Sequence, residues 1–240
     1  MSKPLLLIKT GTTIPEIVPA HGDFEHWFEA ALEGVRLRRV DVFRGEELPA
    51  PGELAGVVIT GSAAMVSHRE DWSERTGIWL LSALQQHVPV LGVCYGHQLL
   101  AHALGGRVGP NPRGREMGTL PVECTDATRD DPLFATTPPS FLAQMTHLET
   151  VLEMPPGAEL LGRTAQDEHA ILRFGELAWG VQYHPEFSAE VMREYIRRRA
   201  PLLAEEGLDP AVMLAQVAAT PDAAAVLPAF ARQVSAARAA

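Results

Sequence analysis

The chain has 240 residues, 46% of them hydrophobic, which is enough for one large domain with its own core. Its formal net charge is −10 and its basic residues form no stripe, so nucleic acid is excluded as an expected partner. Two cysteines provide no disulfide framework, and the apolar run 5–8 is too short for a signal peptide or a membrane span. We therefore expect a cytoplasmic protein with no membrane partner.

Strand-like and helix-like segments alternate through the first half of the chain, which predicts parallel strands joined by crossover helices. The expected strands are 4–9, 35–42, 55–60 and 89–93, and the expected helices are 24–32 and 72–87. From Gly118 onward shorter strands separated by turns favour antiparallel hairpins, with expected strands 120–124, 141–145, 169–174 and 177–183. A helix capped by Ser188 should follow.

The C-terminal forty residues have a different composition from the rest. Asp209-Pro210 and Thr220-Pro221 each pair a capping residue with a first-turn proline, which predicts two alanine-rich helices. We therefore divide the chain into a main domain, 1–200, and a helical extension, 201–240. The extension is expected to pack on the domain or on a partner, and a homodimer is one such arrangement.

A cysteine lies where a buried strand meets a helix. Cys94 follows the apolar run 88–93 and precedes apolar residues at helical spacing, and Gly92 and Gly96 let the two backbones crowd together. Such an elbow exposes its central side chain at a helix N-terminus, where the thiolate is favoured over the thiol. The alternative is a small buried cysteine beside a tight turn.

A second segment supplies the groups that an activated cysteine needs. His184 and Glu186 are two residues apart in a chain that Pro185 keeps extended, so both side chains can point to one side. His184 could accept the proton of Cys94, and Glu186 could hold the other ring nitrogen. Each of the two segments follows a predicted strand, so we interpret Cys94, His184 and Glu186 as a catalytic triad.

The segment Gly92-Val93-Cys94-Tyr95-Gly96-His97-Gln98 and the segment His184-Pro185-Glu186 together resemble the paired signatures of the class I, or triad, glutamine amidotransferases. The chain is most similar to the glutaminase domain of GMP synthetase and its stand-alone relatives, over roughly residues 4 to 195. Further matching elements are Gly22-Asp23-Phe24-Glu25, the loop 61–72, Leu104-Gly105-Gly106, Asn111-Pro112, Glu116-Met117-Gly118 and Met145-Thr146-His147.

The resemblance implies an α/β fold of the flavodoxin-like type. We expect an open, mostly parallel sheet with helices on both faces, short antiparallel strands and the helical C-terminal extension. The implied reaction is hydrolysis of the glutamine side-chain amide through a thioester on Cys94, with His184 as general base and acid. Neither a metal nor a cofactor is expected, because the histidines form no zinc pattern with either cysteine and no phosphate-binding loop occurs.

The oxyanion donors are expected to be the backbone N–H groups of Tyr95, which follows the nucleophile, and Gly61, at the exit of the third strand. Gly61-Ser62-Ala63 replaces the Gly-Gly-Pro-like loop that is usual in the family. The resemblance also implies that substrate contacts come from Gln98, Thr146, His147 and Leu148. Leu148 stands where the family usually has glycine, which changes the pocket wall.

Three functions remain open at this point. The first is a stand-alone glutaminase that delivers ammonia to a separate synthetase subunit. The second is a γ-glutamyl hydrolase or peptidase with the same triad, for which water is the only acceptor. The third is a non-catalytic regulatory or binding protein that keeps the fold. The intact residues Cys94, His184 and Glu186 argue against the third.

Overall fold

The fold is built on a nine-stranded mixed sheet, in a computed structural model that describes residues 3–237. The strands are β1 (Leu5–Lys9), β2 (Leu37–Asp41), β3 (Gly56–Ile59), β4 (Val90–Val93), β5 (Arg107–Pro110), β6 (Glu116–Cys124), β7 (Ser140–His147), β8 (Glu149–Glu153), β9 (Glu159–Arg163), β10 (Ile171–Gly175) and β11 (Ala178–Val181). The helices are α1 (Val18–His21), α2 (Phe24–Ala31), α3 (Asp71–Gln85), α4 (Tyr95–Ala103), α5 (Ala189–Glu205), α6 (Pro210–Gln216), α7 (Pro221–Ala224) and α8 (Val226–Ala237).

The sheet has a parallel part and an antiparallel part. Its strand order is β2-β1-β3-β4-β11-β10-β9-β6-β7, and β5 and β8 form a separate two-stranded sheet. The five strands from β2 to β11 in this order are mutually parallel, whereas every pair from β11 to β7 is antiparallel. β11 therefore joins the two parts.

The central strands are buried on both faces, as their continuous apolar sequences require. Every residue of β1, β3 and β4 is buried. Leu7 belongs to the core layer that contains Phe28 of α2 and Phe230 of α8. Its neighbour Ile8 points to the opposite layer, which contains Leu80 of α3. Helices therefore cover both faces, and the C-terminal α8 packs into the layer on the α2 side.

This architecture confirms the expected fold class, with its parallel strands, additional antiparallel strands and C-terminal helices. The predicted antiparallel hairpin of 169–174 with 177–183 is the β10–β11 pair, and β11 also runs parallel to β4 on its other side. The turn between β10 and β11 reverses the chain, so β11 ends at the same edge of the sheet as β4. The division at residue 200 stays a prediction.

The expected helix after Thr220-Pro221 is in fact two helices, α7 and α8. Pro228 lies in the first turn of α8, where a missing N–H is tolerated but an uninterrupted helix from α7 would lose a hydrogen bond. Between residues 3 and 237 no single helix is long and apolar enough to cross a membrane. The segments α6 and Pro221–Ala237 meet the length and hydropathy that a membrane span requires only when they are taken together, and they are bent by 75° relative to each other.

Two glycines permit the close approach of β4 and α4. A Cβ atom on Gly92 would lie 2.4 Å from the carbonyl oxygen of Gly96, and a Cβ atom on Gly96 would lie 2.7 Å from the carbonyl oxygen of Ile59. Both neighbours are backbone atoms in a packed core and cannot move aside independently. Glycine at positions 92 and 96 is therefore a steric requirement of the elbow.

We expect Gly92→Ala to lower the free energy of unfolding by about 3 kcal/mol, because the added methyl group overpacks the elbow. Gly175→Ala is the matched control, since a Cβ atom at Gly175 would meet nothing within 4 Å. Urea denaturation of both variants and the wild type measures the difference. Equal stability of the two variants would contradict the steric account.

Candidate active site

Cys94 occupies the elbow between β4 and α4 in a strained conformation. Its backbone angles are φ 51° and ψ −102°, outside the regions that L-residues ordinarily adopt, and its side chain is buried. The Cys94 N–H donates to the carbonyl oxygen of Val181, at 2.8 Å, which ties the elbow to β11. The strain and this tie fix the cysteine where the strand turns into the helix.

The pairing of β4 with β11 brings His184 to the same edge of the sheet. Gly92 is opposite Gly180 and Val93 is opposite Val181, so the two strands end side by side. The chain then continues to His184, whose N–H donates to the carbonyl oxygen of Gln144 at 2.9 Å. The imidazole of His184 is hydrogen-bonded to the thiol of Cys94.

The orientation of His184 is set by Glu186 and by two aromatic rings. Nδ1 of His184 lies 2.7 Å from Oε1 of the buried Glu186, which leaves Nε2 for the thiol. Phe187 stacks on the imidazole at a centroid distance of 4.2 Å, and Phe24 of α2 lies 6.2 Å away at an interplanar angle of 14°. The structure thus brings together the three residues of the predicted triad.

The electrostatics of the pair favour a thiolate and an imidazolium. Burial raises the pKa of Cys94, but the charge of His184 and its hydrogen bond lower the pKa to below its ordinary value. Burial lowers the pKa of His184, but Glu186 and Cys94 together raise it above the usual range. The N-terminus of α4 also favours negative charge on Cys94. These interactions shift Cys94 toward the thiolate relative to an ordinary cysteine.

Both predicted oxyanion donors adjoin the cysteine. Tyr95 begins α4, so its N–H has no intrahelical acceptor, and its side chain is held elsewhere by a 2.6 Å hydrogen bond to Ser73. A Cβ atom on Gly61 would lie 2.7 Å from Cε1 of His184 and 3.6 Å from Cβ of Cys94, so only glycine fits between them. Their role as oxyanion donors stays a prediction.

A small cavity of about 50 Å³ opens beside the thiol. All four residues predicted to bind substrate are in its wall, which also contains two arginines. The lining residues are Ser62, Ala63, Ala64, Met65, Cys94, Tyr95, Gln98, Arg115, Thr146, His147, Leu148, Glu149 and Arg199. The amide nitrogen of Gln98 donates to the carbonyl oxygen of Glu149 at 2.7 Å, which fixes the amide in the wall.

Behind this wall His147 belongs to a buried cluster with Glu116 and Asp167. Its Nε2 lies 2.9 Å from Glu116, and its Nδ1 lies 3.0 Å from the carbonyl oxygen of Glu149. Burial lowers the pKa of His147, but Glu116 and Asp167 raise it to above its usual value. The three side chains are of metal-ligand type, and one ligand atom from each lies within 4.8 Å of the others. Because both ring nitrogens are already hydrogen-bonded, we interpret the cluster as an ion-paired support for the wall.

His97 is expected to support the elbow by hydrogen bonding. Its Nε2 lies 2.9 Å from the carbonyl oxygen of His169, and its ring packs on the backbone of Gly180. Burial lowers the pKa of His97 to about 4, so it is neutral at neutral pH. The supporting role stays a prediction.

A second cavity, of about 300 Å³, adjoins the first and was not predicted from the sequence. Its lining residues are Thr12, Thr13, Ile14, Pro15, Phe24, Ser62, Ala63, Thr146, His184, Tyr195 and Arg199. Arg199 is four residues after Tyr195 in α5, so helical spacing places both on one face. That spacing is the sequence signal that could have indicated Arg199.

The comparisons with known proteins agree with this geometry. The family model described as Glutamine amidotransferase class-I matches residues 35–200. GMP synthase (glutamine-hydrolyzing) from Thermomicrobium roseum is 38% identical over 60% of the chain, and the match spans only 25% of that relative. A shorter relative, one subunit of the glutamine-hydrolyzing GMP synthase from Haloarcula marismortui, is 32% identical in a match that covers 71% of the chain and 84% of the relative.

A plant relative and a solved structure extend the comparison. Gamma-glutamyl peptidase 5 from Arabidopsis thaliana is 33% identical over 60% of the chain and 58% of the relative. A crystal structure of a glutamine amidotransferase from Thermotoga maritima superposes with a TM-score of 0.74, covering 98% of this chain and 97% of that one at 22% identity. This structural match supports the fold alone.

The ion pair predicts selective alkylation of one cysteine. At about pH 6.5 iodoacetamide should modify Cys94 faster than Cys124, because His184 lowers the pKa of Cys94 whereas burial raises that of Cys124. The rate at Cys94 should fall only as the pH drops through its lowered pKa. In His184→Ala the rate at about pH 6.5 should fall by roughly tenfold or more. Peptide-resolved mass spectrometry measures both sites, and equal rates would contradict the ion pair.

Proposed function

Because the chain belongs to the class I glutamine amidotransferase family, we propose that it hydrolyses γ-glutamyl amide bonds, with glutamine as the simplest substrate. The observation that supports this proposal most directly is the buried Cys94–His184–Glu186 arrangement at a strained strand-to-helix elbow. A thiolate, a proton carrier and a fixed orienting carboxylate are the groups that covalent acyl transfer requires.

In the first half of the reaction the thiolate of Cys94 attacks the γ-carbonyl carbon and forms a carbon–sulfur bond. The negative charge moves to the carbonyl oxygen, where the N–H groups of Tyr95 and Gly61 would stabilise it. The carbon–nitrogen bond then breaks while His184 transfers its proton to the leaving nitrogen. For glutamine the products of this step are ammonia and a γ-glutamyl thioester.

In the second half a water molecule attacks the thioester carbon while the now neutral His184 accepts its proton. Collapse of the tetrahedral intermediate breaks the carbon–sulfur bond and releases glutamate. The thiolate and the imidazolium are thereby restored. Glu186 keeps Nδ1 of His184 protonated throughout, so Nε2 carries the proton in both directions.

The fate of the leaving nitrogen separates the two enzymatic candidates. The haloarchaeal relative is named as one subunit of GMP synthase, which supports delivery of ammonia to a separate synthetase subunit. The Arabidopsis relative is named a gamma-glutamyl peptidase, and the second cavity beside His184 favours a leaving group larger than ammonia. Both candidates use the same triad. A non-catalytic role has no comparable support.

We expect Cys94→Ser and His184→Ala each to reduce glutamine hydrolysis by about 10⁴-fold or more, because neither the nucleophile nor the proton carrier has a substitute. Glutamate release in a coupled assay measures the loss, and circular dichroism checks the fold. Cys124→Ser is the matched control and should keep wild-type activity. Full activity in Cys94→Ser would exclude the proposed mechanism.

Glu186→Gln should be less damaging than His184→Ala and should retain about 10- to 100-fold more activity, because an orienting group contributes less than the proton carrier. The same glutamate assay, run on both variants at equal concentration, gives the ratio. If the two variants lost activity equally, Glu186 would have a role beyond orientation.

A further inference from the structure

The second cavity lies where the leaving group must depart. The leaving nitrogen takes its proton from His184, and His184 lines this cavity. The first cavity is lined instead by Cys94, Tyr95 and Gln98, which face the carbonyl group and the rest of the glutamyl unit. Because Thr146 lines both, the two cavities adjoin, and a bound amide would extend from the first into the second.

The size of the second cavity exceeds what ammonia requires. A cavity needs about 10–15 Å³ to hold one water molecule, and ammonia is of similar size. The space beside His184 is about 300 Å³. It therefore has room for a leaving amine with the dimensions of an amino acid.

The charge of this cavity is positive in a protein whose net charge is −10. None of its lining residues is acidic, whereas Arg199 and His184 are both basic. Thr12 and Thr13 add hydroxyl groups to the wall. An anionic group of a ligand would meet a cation and neutral hydrogen-bonding groups there, with no opposing carboxylate in the wall.

Arg199 lacks a hydrogen-bond or ion-pair partner among residues 3–237, although its guanidinium lies over the ring of Tyr195 at 5.6 Å. Glu206, the carboxylate that could neutralise it, is bound by both Nε and a terminal nitrogen of Arg115, at 2.8 and 3.0 Å. Burial, followed by the charge of Arg115, lowers the pKa of Arg199. Among residues 3–237 no carboxylate forms a hydrogen bond or ion pair with Arg199, so its guanidinium can bind a ligand at the junction of the two cavities.

The wall of this cavity formed by Tyr195 and residues 12–24 is held by a chain of buried polar contacts. Tyr195 and Thr13 are hydrogen-bonded at 2.5 Å, and Asp23 accepts from the Thr13 N–H at 2.7 Å. Lys9 in turn donates to Asp23 at 2.7 Å. The wall residues 12–24 precede residue 35, where the family match begins. The cavity is therefore built partly outside the matched region.

We propose that Arg199 binds a carboxylate on the leaving amine, so that γ-glutamyl amino acids and peptides are the substrates that this site selects. The inference rests on the proposed cleavage of γ-glutamyl amides at Cys94. It adds a specificity-determining residue and a chemical class of leaving group. A guanidinium that has no protein partner can form a charge-assisted bidentate pair with such a carboxylate.

Steady-state kinetics with paired substrates test the proposal. γ-Glutamylalanine carries a carboxylate on its leaving amine, whereas γ-glutamylethylamide of similar size does not. The wild type should show a kcat/KM for γ-glutamylalanine at least about tenfold above the values for the ethylamide and for glutamine. Arg199→Met should remove this preference, and Arg199→Lys should restore part of it. Arg198→Met, on the exposed side of the same helix, should keep it.

The outcomes separate failure of this inference from failure of the proposed function. No preference in the wild type would overturn the role of Arg199, whether or not its variants fold. An equal loss for both substrates in Arg199→Met would also overturn it, because Arg199 would then contact the glutamyl part. If the folded wild type hydrolysed none of the three substrates, the proposed function itself would fail.

Discussion

The parallel pairing of β4 with β11 is the constraint on which the site depends. Two neighbouring parallel strands end at one edge of a sheet, so the residues that follow them meet although they are distant in sequence. Cys94 follows β4 directly, and its N–H bonds to the last residue of β11, while His184 is three residues beyond that strand. A hairpin between β10 and β11 makes the pairing possible, because it reverses the chain before the final strand. The antiparallel part of the fold thus positions His184 next to Cys94.

Forming the site costs folding free energy, which neighbouring residues offset. A strained cysteine and a buried ion pair both oppose folding, since desolvated charge is expensive unless it is paired and hydrogen-bonded. The glycines of the elbow allow the close approach, Glu186 neutralises the imidazolium, and Phe187 and Phe24 hold its ring. His184 and Arg199 both line the larger cavity, and Arg199 also lines the small cavity at the thiol. In the proposed mechanism bond cleavage depends on His184 and leaving-group selection on Arg199, and both side chains line the second cavity.

Much of this architecture could be predicted from the sequence, because its strongest signals are local. The apolar runs of β1, β3 and β4, the glycines around Cys94 and the extended segment at His184 each indicate their structure within a few residues. β5, β8 and β9 were not predicted, since they are short and only partly buried and so lack a clear period. Arg199 was not predicted to line the site, because its exposure to the cavity depends on how α5 packs against residues 12–24. The packing of one element against another is not encoded in a local sequence pattern.

In the proposed mechanism the reaction proceeds through a covalent bond to Cys94. Rapid acid quenching of the protein during turnover of glutamine, followed by peptide mass spectrometry, tests it most directly. We expect a γ-glutamyl adduct on the peptide that contains Cys94, removed by hydroxylamine and absent from Cys94→Ser. Turnover without this adduct, even when a slowly hydrolysed amide is used, or an adduct on Cys124 instead, would contradict it.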